Sequence, residues 1–323
     1  MRLKIFVIVV LMLTGVLSGG TWMLLGSPQR ASQPEVFSVR ENTEGFDAAR
    51  LLKEQNLIRN AEAFRWLFTL VTPNKIIVSG GYRLDRNMNA WQVMRAVTGK
   101  PQLVWVTVRE GLRKEQIGEL LVSALGWSVN AQEQWDTVYA DTKPEYTEGV
   151  YFPDTYLLPL DETVQQIAQR FIDRFNEKFA PYFDKFQKKD IKWTTALKIA
   201  SLIQREAAGP QDMPLIAGII WNRLDRGMKL EIDATMQYTR GKHETGWWGS
   251  IDLAQKRSDS PYNTYIYKGL PPTPICNPGV AAIDAVLNPR ETDCLYYLHS
   301  SDKQIHCATT YTEHKANIRE YLD

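Results

Sequence analysis

The chain begins with one uninterrupted apolar segment and continues with short apolar strands and amphipathic helices. Residues 5–25 carry no charged side chain, and about 20 apolar residues in a helix span the hydrocarbon core of a bilayer. Arg2 and Lys4 precede this segment, so the positive-inside rule places residues 1–4 in the cytoplasm and the residues after Leu25 on the other side. The pattern therefore predicts a transmembrane helix over residues 5–25.

A cleaved signal peptide is the alternative interpretation of this segment. Its apolar core would span only about 7–15 residues and would end at small residues, which Ser18-Gly19-Gly20 imitates weakly. Apolar residues resume at Trp22 and continue to Leu25, which favours the uncleaved anchor. Residues 26–35 are polar and contain two prolines, the composition of a short extended linker.

A strand, a polar loop and a helix recur in the first half of the chain. Residues 36–58 and residues 104–127 both follow this plan, and a shorter copy has a strand at 81–84 and a helix near 90–97. The recurrence predicts small α+β units packed in series over residues 36–141. Such units are typical of LysM-like carbohydrate-binding modules, although a role as a spacer fits the pattern equally.

The rest of the chain, residues 142–323, begins with a proline-rich junction and then alternates helices with long loops. Asp161 or Thr163 is the expected N-cap of a helix that should break at Pro181. A second helix, 196–208, is apolar on nearly every face and must be largely buried. The predicted fold class is α+β: an N-terminal transmembrane helix, a small LysM-like α+β region and a larger domain of mixed helices and strands.

Composition excludes several classes of function. The chain has 38 Lys and Arg against 37 Asp and Glu, a formal charge of +1, and nucleic-acid binding needs a concentrated basic excess. Aromatic residues make up 11% of the chain, which excludes bulk disorder. We expect a near-neutral folded body with no nucleic-acid partner.

Three cysteines outside the cytoplasm cannot all pair within one chain. Cys294 and Cys307 flank a predicted hairpin whose tip is residues 300–303. Centring that turn places Cys307 opposite Tyr296 rather than Cys294, so this register predicts no disulfide. Cys276 lies in a proline-rich loop and is expected to be a small apolar filler.

Glu206 is the candidate acid because it ends the buried helix, just before Gly209-Pro210. A carboxyl group against apolar surroundings has a raised pKa, since burial disfavours the anion, and a general acid at neutral pH needs that property. The alternative is an ordinary surface glutamate paired with Arg205 or with another neighbour.

Other stretches offer groups that could bind a sugar. Asn222 and Arg223 could bind polar groups of a substrate, or could satisfy carbonyl groups within the fold. The loop after Ser260 carries hydroxyl, amide and aromatic groups at Tyr262, Asn263, Thr264 and Tyr265, which suit the hydroxyls and the apolar face of a sugar. Trp247 and Trp248 suggest an exposed stacking surface.

A metal or cofactor is not expected. His299, His306, Cys307 and His314 are spaced unlike any closed structural zinc site, and no His-Glu-x-x-His helix occurs. The chain also lacks a Gly-x-Ser-x-Gly nucleophile motif.

Taken together in order, these motifs resemble one family, the YceG-like (MltG-type) endolytic murein transglycosylases. The resemblance runs from the apolar segment to Leu322. It is carried by EGVYFPDTY (148–156), the helix ending at Glu206, Asn222-Arg223-Leu224 with Gly227-Met228, SPYNTY (260–265) and Gly269-Leu270-Pro271-Pro272.

The resemblance implies a single-pass inner-membrane protein with a periplasmic catalytic domain, residues 142–323, behind the LysM-like region. The family's catalytic glutamate maps onto Glu206. Gln204 stands where many members have an acid, so only Glu206 of that pair can serve. The implied substrate-binding residues are Asn222, Arg223, Asp233, Thr235, Tyr262, Asn263, Thr264, Tyr265, Pro271 and Pro272.

The implied reaction cleaves the MurNAc–GlcNAc β-1,4 bond inside nascent glycan strands and leaves 1,6-anhydroMurNAc ends, which would terminate elongation. The expected partners are peptidoglycan glycan strands and the membrane, with peptidoglycan synthases as further candidates. A catalytically silent peptidoglycan-binding scaffold and a hydrolytic muramidase are the alternatives. A departure from the family at Glu231 adds an acid with no assigned role.

Overall fold

The computed structural model describes residues 19–30, 33–41, 45–72, 76–137 and 148–322. It divides into two compact units. Unit 1 comprises the described residues up to 106 together with 155–162, and unit 2 comprises those in 107–154 and from 163 onward. The expected boundary at residues 141 and 142 lies outside the described residues, so it stays a prediction.

Unit 1 is built from a four-stranded sheet and short helices. Its strands have the order β1-β2-β3-β4, with β2 antiparallel to both β1 and β3. Residues 19–25 are helical and are called α1. The other elements are β1 Glu35–Val39, α2 Gly45–Glu54, α3 Ala61–Val71, β2 Gly80–Leu84, α4 Ala90–Val97, β3 Leu103–Thr107 and β4 Thr155–Pro159.

The recurrence of strand and helix predicted from the sequence is confirmed in these elements. Strand β1 buries Phe37 and Val39 and turns Val36 outward, as the period of two requires. Leu52 of α2 and Val93 of α4 join the same core. The strands and helices of unit 1 therefore follow from local patterns.

The predicted transmembrane segment lies mostly outside the described residues, since residues 5–18 are not among them. In the part of the chain that the structure describes, we find no helix with the length and apolar character needed to cross a bilayer. The anchor stays a prediction.

The first residues of the predicted linker, residues 26–35, pack on unit 1. The Gly26 amide donates to the Trp22 carbonyl at 2.9 Å, and the Gln29 amide donates to the Arg86 carbonyl at 3.0 Å. Arg59 Nε donates to the Ser27 carbonyl at 2.8 Å. This stretch is thus held against the unit, unlike a free extended tether.

Unit 2 consists mainly of helices around a large apolar core, with a C-terminal hairpin. Helix α8 contacts α7, α9, α10 and α11. The elements are α5 Lys114–Leu125, α6 Val129–Thr137, α7 Val164–Lys188, α8 Trp193–Glu206, α9 Met213–Asp225, α10 Asp233–Arg240, a 3-10 turn Gln255–Arg257, α11 Val280–Leu287, β5 Tyr296–His299, β6 Ile305–Ala308 and α12 Tyr311–Tyr321.

Helix α7 corrects the prediction that Pro181 ends it. Thr163 caps the helix, as expected, by accepting from the Gln166 amide, but the helix continues through the proline to Lys188. Phe179 and Phe186, on either side of the proline, are buried and stack at 5.8 Å. An interior proline costs about 3 kcal/mol, and burial of each phenylalanine returns about 1.5–3 kcal/mol, so packing outweighs the local rule.

Helix α8 begins at Trp193, three residues before the predicted start, and ends at Glu206. The Trp193 ring lies 6.3 Å from Phe175 and 6.5 Å from Phe179, so aromatic packing extends the first turn. Most of the helix is buried, as predicted. Because it runs through the core of unit 2, its last residue is held rigidly at the edge of that core.

The C-terminal hairpin has the predicted tip, but the expectation of no disulfide was wrong. Cys294 and Cys307 are bonded, with Cα atoms 5.9 Å apart. Tyr297, not Tyr296, lies opposite Cys307, and Cys294 precedes β5. The chain there leaves the ladder, with the Cys294 amide donating to Thr292 Oγ1, so strand register does not fix where its sulfur points. Cys276 is free and buried, as predicted.

Candidate active site

Glu206 is the last residue of α8, and its side chain is half-buried. Tyr297 of β5 donates a hydrogen bond from its hydroxyl to Glu206 Oε2 at 2.6 Å. The two residues are 91 positions apart in the chain, so only the docking of the hairpin on unit 2 brings them together. One carboxyl oxygen is fixed by this bond.

The environment of Glu206 raises its pKa. Burial is the largest cause, and the negative charge of Asp233 adds to it. The Tyr297 hydrogen bond and the charges of His299 and Arg205 act in the opposite direction, but the net shift is upward. A carboxyl group in this setting stays protonated to a higher pH than an ordinary glutamate, which suits a proton donor.

In the described part of unit 2, Arg205 packs against Trp248 and does not form a surface pair with Glu206, which was one of the pairings that the alternative interpretation allowed. Its guanidinium lies over the Trp248 ring at 4.1 Å, and the Trp248 indole donates to Gln116 Oε1 at 2.9 Å. Trp247 donates to Glu119 at 3.3 Å. Both tryptophans are half-buried, so the expected exposed stacking pair is instead packed against its neighbours.

Gln204 stands at the position of α8 where many members of the family that the chain resembles have an acid, and its side chain makes a structural contact. Its Oε1 accepts a hydrogen bond from the Gly279 amide at 3.0 Å, and Gly279 is the N-cap of α11. This side chain therefore joins two core helices, and Glu206 alone presents a carboxyl group at the end of α8.

A second polar group forms around Asp233, the first residue of α10. Its carboxylate accepts from the Tyr265 hydroxyl and pairs with Lys256 Nζ at 2.9 Å. Lys256 also donates to the Tyr265 hydroxyl at 3.0 Å. Burial and the bond to Asp233 raise the pKa of Tyr265 to about 12, so the phenol remains neutral and Asp233 remains its acceptor.

Three of the predicted substrate-binding residues lie beneath this group. Thr235, Asn263 and Thr264 are at most 2% exposed. Thr264 Oγ1 lies 3.1 Å from Thr235 Oγ1 and accepts from the Ile232 amide. Asn263 donates to the carbonyls of Lys256 and Ser258. Because they have almost no exposed surface, these side chains position Asp233, Lys256 and Tyr265 and do not line the site.

Asn222 and Arg223 use their donors on main-chain carbonyls, the second of the two roles that the sequence allowed. Asn222 Nδ2 donates to Thr292 at 2.7 Å and to Cys294 at 3.1 Å. Arg223 donates to Leu295 at 2.6 Å and to the carbonyls of residues 229 and 230. They hold the start of β5, and hence Tyr297, against the segment that leads into α10.

The remaining predicted residues, Tyr262, Pro271 and Pro272, lie outside the hydrogen bonds that surround Glu206 in the described part of unit 2. Tyr262 contacts Thr273 through its hydroxyl at 2.7 Å, and its ring lies 5.2 Å from Tyr238. Pro271 is buried, whereas Pro272 is exposed. Tyr262 and Pro272 therefore keep surface that could meet a ligand.

Sequence reasoning missed Tyr297, Lys256 and the pair of His299 with Asp212, which is 3.2 Å apart. Tyr297 and His299 alternate on one strand of the predicted hairpin, a signal that could have pointed both to one face. Lys256 had no signal, because its role depends on a loop returning to α10. Among the described residues no group of three His, Cys, Asp or Glu side chains is arranged to hold a metal ion.

Comparisons with known proteins agree on one family. The family model described as "YceG-like family" matches residues 37–320. A Bacillus subtilis (strain 168) protein named "Endolytic murein transglycosylase" is 28% identical over 85% of this chain and 81% of its own length. A Streptococcus pneumoniae (serotype 2, strain D39 / NCTC 7466) protein of the same name is 24% identical over 100% of this chain and 66% of its own.

The fold has also been seen before. A crystal structure of a YceG-like protein from Listeria monocytogenes superimposes with a TM-score of 0.62 at 24% identity, covering 88% of this chain and 98% of that one. The mixed α+β architecture is therefore shared with a solved protein.

Proposed function

The chain belongs to the YceG-like family, and we infer from this membership that it is an endolytic murein transglycosylase, an enzyme that cleaves peptidoglycan glycan strands. Two relatives from different genera carry that name. The observation that carries the assignment of the active residue is the half-buried Glu206 with its raised pKa, held by Tyr297 at 2.6 Å.

We propose that Glu206 acts first as the general acid. The neutral carboxyl group donates its proton to the glycosidic oxygen between MurNAc C1 and GlcNAc, the C1–O bond breaks, and GlcNAc leaves with a free 4-hydroxyl. Positive charge develops at C1 during this step. The Asp233 carboxylate, which acts on Glu206 through its charge, would stabilise that positive charge.

Glu206 then acts as the base. Its carboxylate accepts the proton of the MurNAc C6 hydroxyl while that oxygen bonds to C1, which closes a 1,6-anhydro ring and returns Glu206 to the neutral form. The nucleophile belongs to the substrate, so one carboxyl group performs both proton transfers, unlike the two carboxylates of most glycoside hydrolases.

We assign glycan contact to the candidate residues that keep exposed surface, and support to the others. Asp233, Tyr262, Tyr265 and Pro272 would face the strand. The supporting residues are Asn222, Arg223, Thr235, Asn263, Thr264 and Pro271.

We place the catalytic unit outside the cytoplasm, behind the anchor predicted for residues 5–25. The bond between Cys294 and Cys307 supports this placement, because structural disulfides persist in oxidising compartments and are rare in the cytosol. Peptidoglycan synthases remain candidate partners of an enzyme at that location, where it would end strand elongation.

The size of the first products tests the proposed function. Purified full-length protein is incubated with uncrosslinked glycan strands, and the products are sized by chromatography at early times. An endolytic enzyme gives strands of intermediate length first. Disaccharides released first would indicate cleavage from the ends, and unchanged strands that nevertheless bind the protein would support the scaffold alternative.

Tyr297→Phe is expected to lower kcat by about 10–100-fold with little change in KM, because a hydrogen bond to a titrating carboxyl group contributes about 1.5–3 kcal/mol. The Tyr297 bond also lowers the pKa of Glu206, so the alkaline limb of the pH–rate profile should move to higher pH in the variant. Tyr296→Phe is the matched control, since that ring packs against Tyr311 and His314 instead. Equal kcat in wild type and Tyr297→Phe would contradict the positioning role.

Reduction of the disulfide should lower both stability and activity. Closing a loop of about 15 residues contributes about 3 kcal/mol in the chain-entropy account, and Cys307 lies directly opposite Tyr297. We expect a phosphine reductant to lower the free energy of unfolding by about 2–3 kcal/mol and to reduce kcat. The double variant Cys294→Ser/Cys307→Ser should be insensitive to the reductant. Reduced wild type with unchanged Tm and kcat would oppose this account.

A further inference from the structure

Unit 1 exposes an unusual set of large apolar side chains on and around α3. Trp66 and Leu70 lie one turn apart on this helix and are 69% and 75% exposed. Val71 at its end and Ile76 beyond it are also exposed, the latter by 81%. A cluster of exposed large apolar side chains indicates a contact surface.

Helix α1 joins this surface at its C-terminal end. The Arg59 guanidinium lies over the Trp22 ring at 4.1 Å, and Leu25 packs against the core of unit 1. An open cavity of about 510 Å³ is lined by Trp22, Leu25, Leu67 and Trp91 together with polar groups of residues 87 and 89. Leu67 and Leu70 lie three positions apart on α3 and are therefore neighbours on its surface, so the cavity borders the stripe of Trp66 and Leu70.

The chain itself identifies what covers this surface. Residues 5–25 are uncharged, and their last residues, 19–25, are the helix whose Trp22, Met23 and Leu24 remain exposed. Trp22 is only three residues from Leu25, about 5 Å along a helix. If residues 5–25 cross a bilayer, the membrane boundary lies between Trp22 and Leu25, and no length of linker separates it from α3 and α4.

The chemistry of the surface suits the boundary of a bilayer. Tryptophan is enriched where hydrocarbon meets headgroups, because its ring is apolar and its N–H is polar. Trp22, Trp66 and Trp91 are each at least 46% exposed. Asn87 and Asn89 lie at the rim of the cavity, where headgroups would offer hydrogen-bond partners.

We propose that this surface, formed by Trp22, Trp66, Leu70, Ile76 and Trp91, rests in the interfacial layer of the bilayer beside the anchor. Unit 1 then lies on the membrane and does not swing on a flexible tether. The proposal rests on the anchor proposed above, but it needs neither glycan cleavage nor Glu206.

Two variants of the chain that each introduce one new cysteine test the surface. Leu70→Cys and Leu253→Cys have nearly equal exposure in the wild type, 75% and 72%, and Leu253 lies in unit 2. Each is labelled with a nitroxide and reconstituted in vesicles of phosphatidylethanolamine and phosphatidylglycerol. The native cysteines do not compete, since Cys294 and Cys307 are bonded and Cys276 is buried.

The measurement is the collision of each label with oxygen, which partitions into lipid, relative to a water-soluble nickel chelate. We expect the ratio of oxygen to nickel accessibility to be several-fold higher at position 70 than at position 253. Equal ratios would overturn the proposal, and dipolar broadening between labels at position 70 would overturn it in favour of a second copy of the chain. Vesicle flotation separates the two failures. A chain that does not float refutes the anchor and this surface with it, whereas a floating chain with an aqueous label refutes the surface alone.

Discussion

Glu206→Gln is expected to abolish the release of 1,6-anhydroMurNAc ends from glycan strands. Glutamine keeps the size of the side chain and an oxygen that can accept the Tyr297 hydrogen bond, but it carries no transferable proton. General acid–base catalysis contributes about 10²–10⁴-fold in rate, and here one residue supplies both transfers. We therefore expect a loss of at least about 10³-fold.

The matched control is Glu231→Gln, at the acid with no assigned role. Glu231 is an exposed glutamate that pairs with Arg223 at 3.2 Å, so the same change of charge is made near the site without touching Glu206. Circular dichroism and Tm should be close to wild type in both variants. Anhydro ends released by Glu206→Gln at the rate of wild type would remove Glu206 from the mechanism.

Glu148→Gln is expected to change how the stability of the protein depends on pH. Glu148 is 1% exposed and accepts hydrogen bonds from Asn277 Nδ2 at 2.8 Å and from the Lys114 amide at 3.2 Å. Burial, with the negative charge of Glu115 adding to it, raises its pKa from 4.5 to about 8. The fold therefore holds this side chain as a neutral acid at pH 7.

The direction of this pH dependence follows from the number of protons that the folded and unfolded states bind. Between pH 4.5 and 8 the folded state keeps the proton that the unfolded state has released, so the contribution of Glu148 to stability is complete at low pH and is lost as the pH rises. One pKa unit corresponds to about 1.4 kcal/mol, and the shift therefore corresponds to at most about 5 kcal/mol across this window.

Denaturant unfolding of wild type, Glu148→Gln and the exposed control Glu133→Gln at several pH values measures this effect. As the pH increases from 5 to about 8, the free energy of unfolding of wild type should fall relative to that of Glu148→Gln. The Glu133→Gln curve should stay parallel to that of wild type. A difference that does not vary with pH would show that Glu148 ionises normally in the fold.

The sequence predicted the helices and strands correctly where interactions between residues close together in the chain determine them. Helix α9 has the predicted bounds because Pro214 suits its first turn and Gly227 adopts the left-handed conformation after its end. Pro181 misled the prediction of α7, since Phe179 packs against Trp193 of α8 and Phe186 joins the same core, and this tertiary packing is not visible in the sequence.

The same distinction separates what could be predicted of the site. Glu206 could be proposed because a carboxyl group at the end of an apolar helix is a local feature. Its partner Tyr297 is 91 residues away, and the sequence offers no measure of that distance. Asn222 and Arg223 were predicted from the sequence, but whether their donors meet a ligand or the carbonyls before β5 depends on how the hairpin docks.

The disulfide could not be predicted from strand register alone. The hairpin and its tip were predicted, yet a one-residue change in register and the bend at Cys294 bring its sulfur to Cys307. The bond ties down the strand that presents Tyr297 to Glu206. The hairpin is therefore part of the proposed active site.

The most direct test of the central claim is the mass of the new chain ends formed in water enriched in ¹⁸O. If Glu206 directs the MurNAc C6 hydroxyl to C1, every new MurNAc end is a 1,6-anhydro end, one water lighter than a reducing end, and contains no ¹⁸O. Reducing MurNAc ends that carry one ¹⁸O atom would show that water is the nucleophile, and would contradict the account.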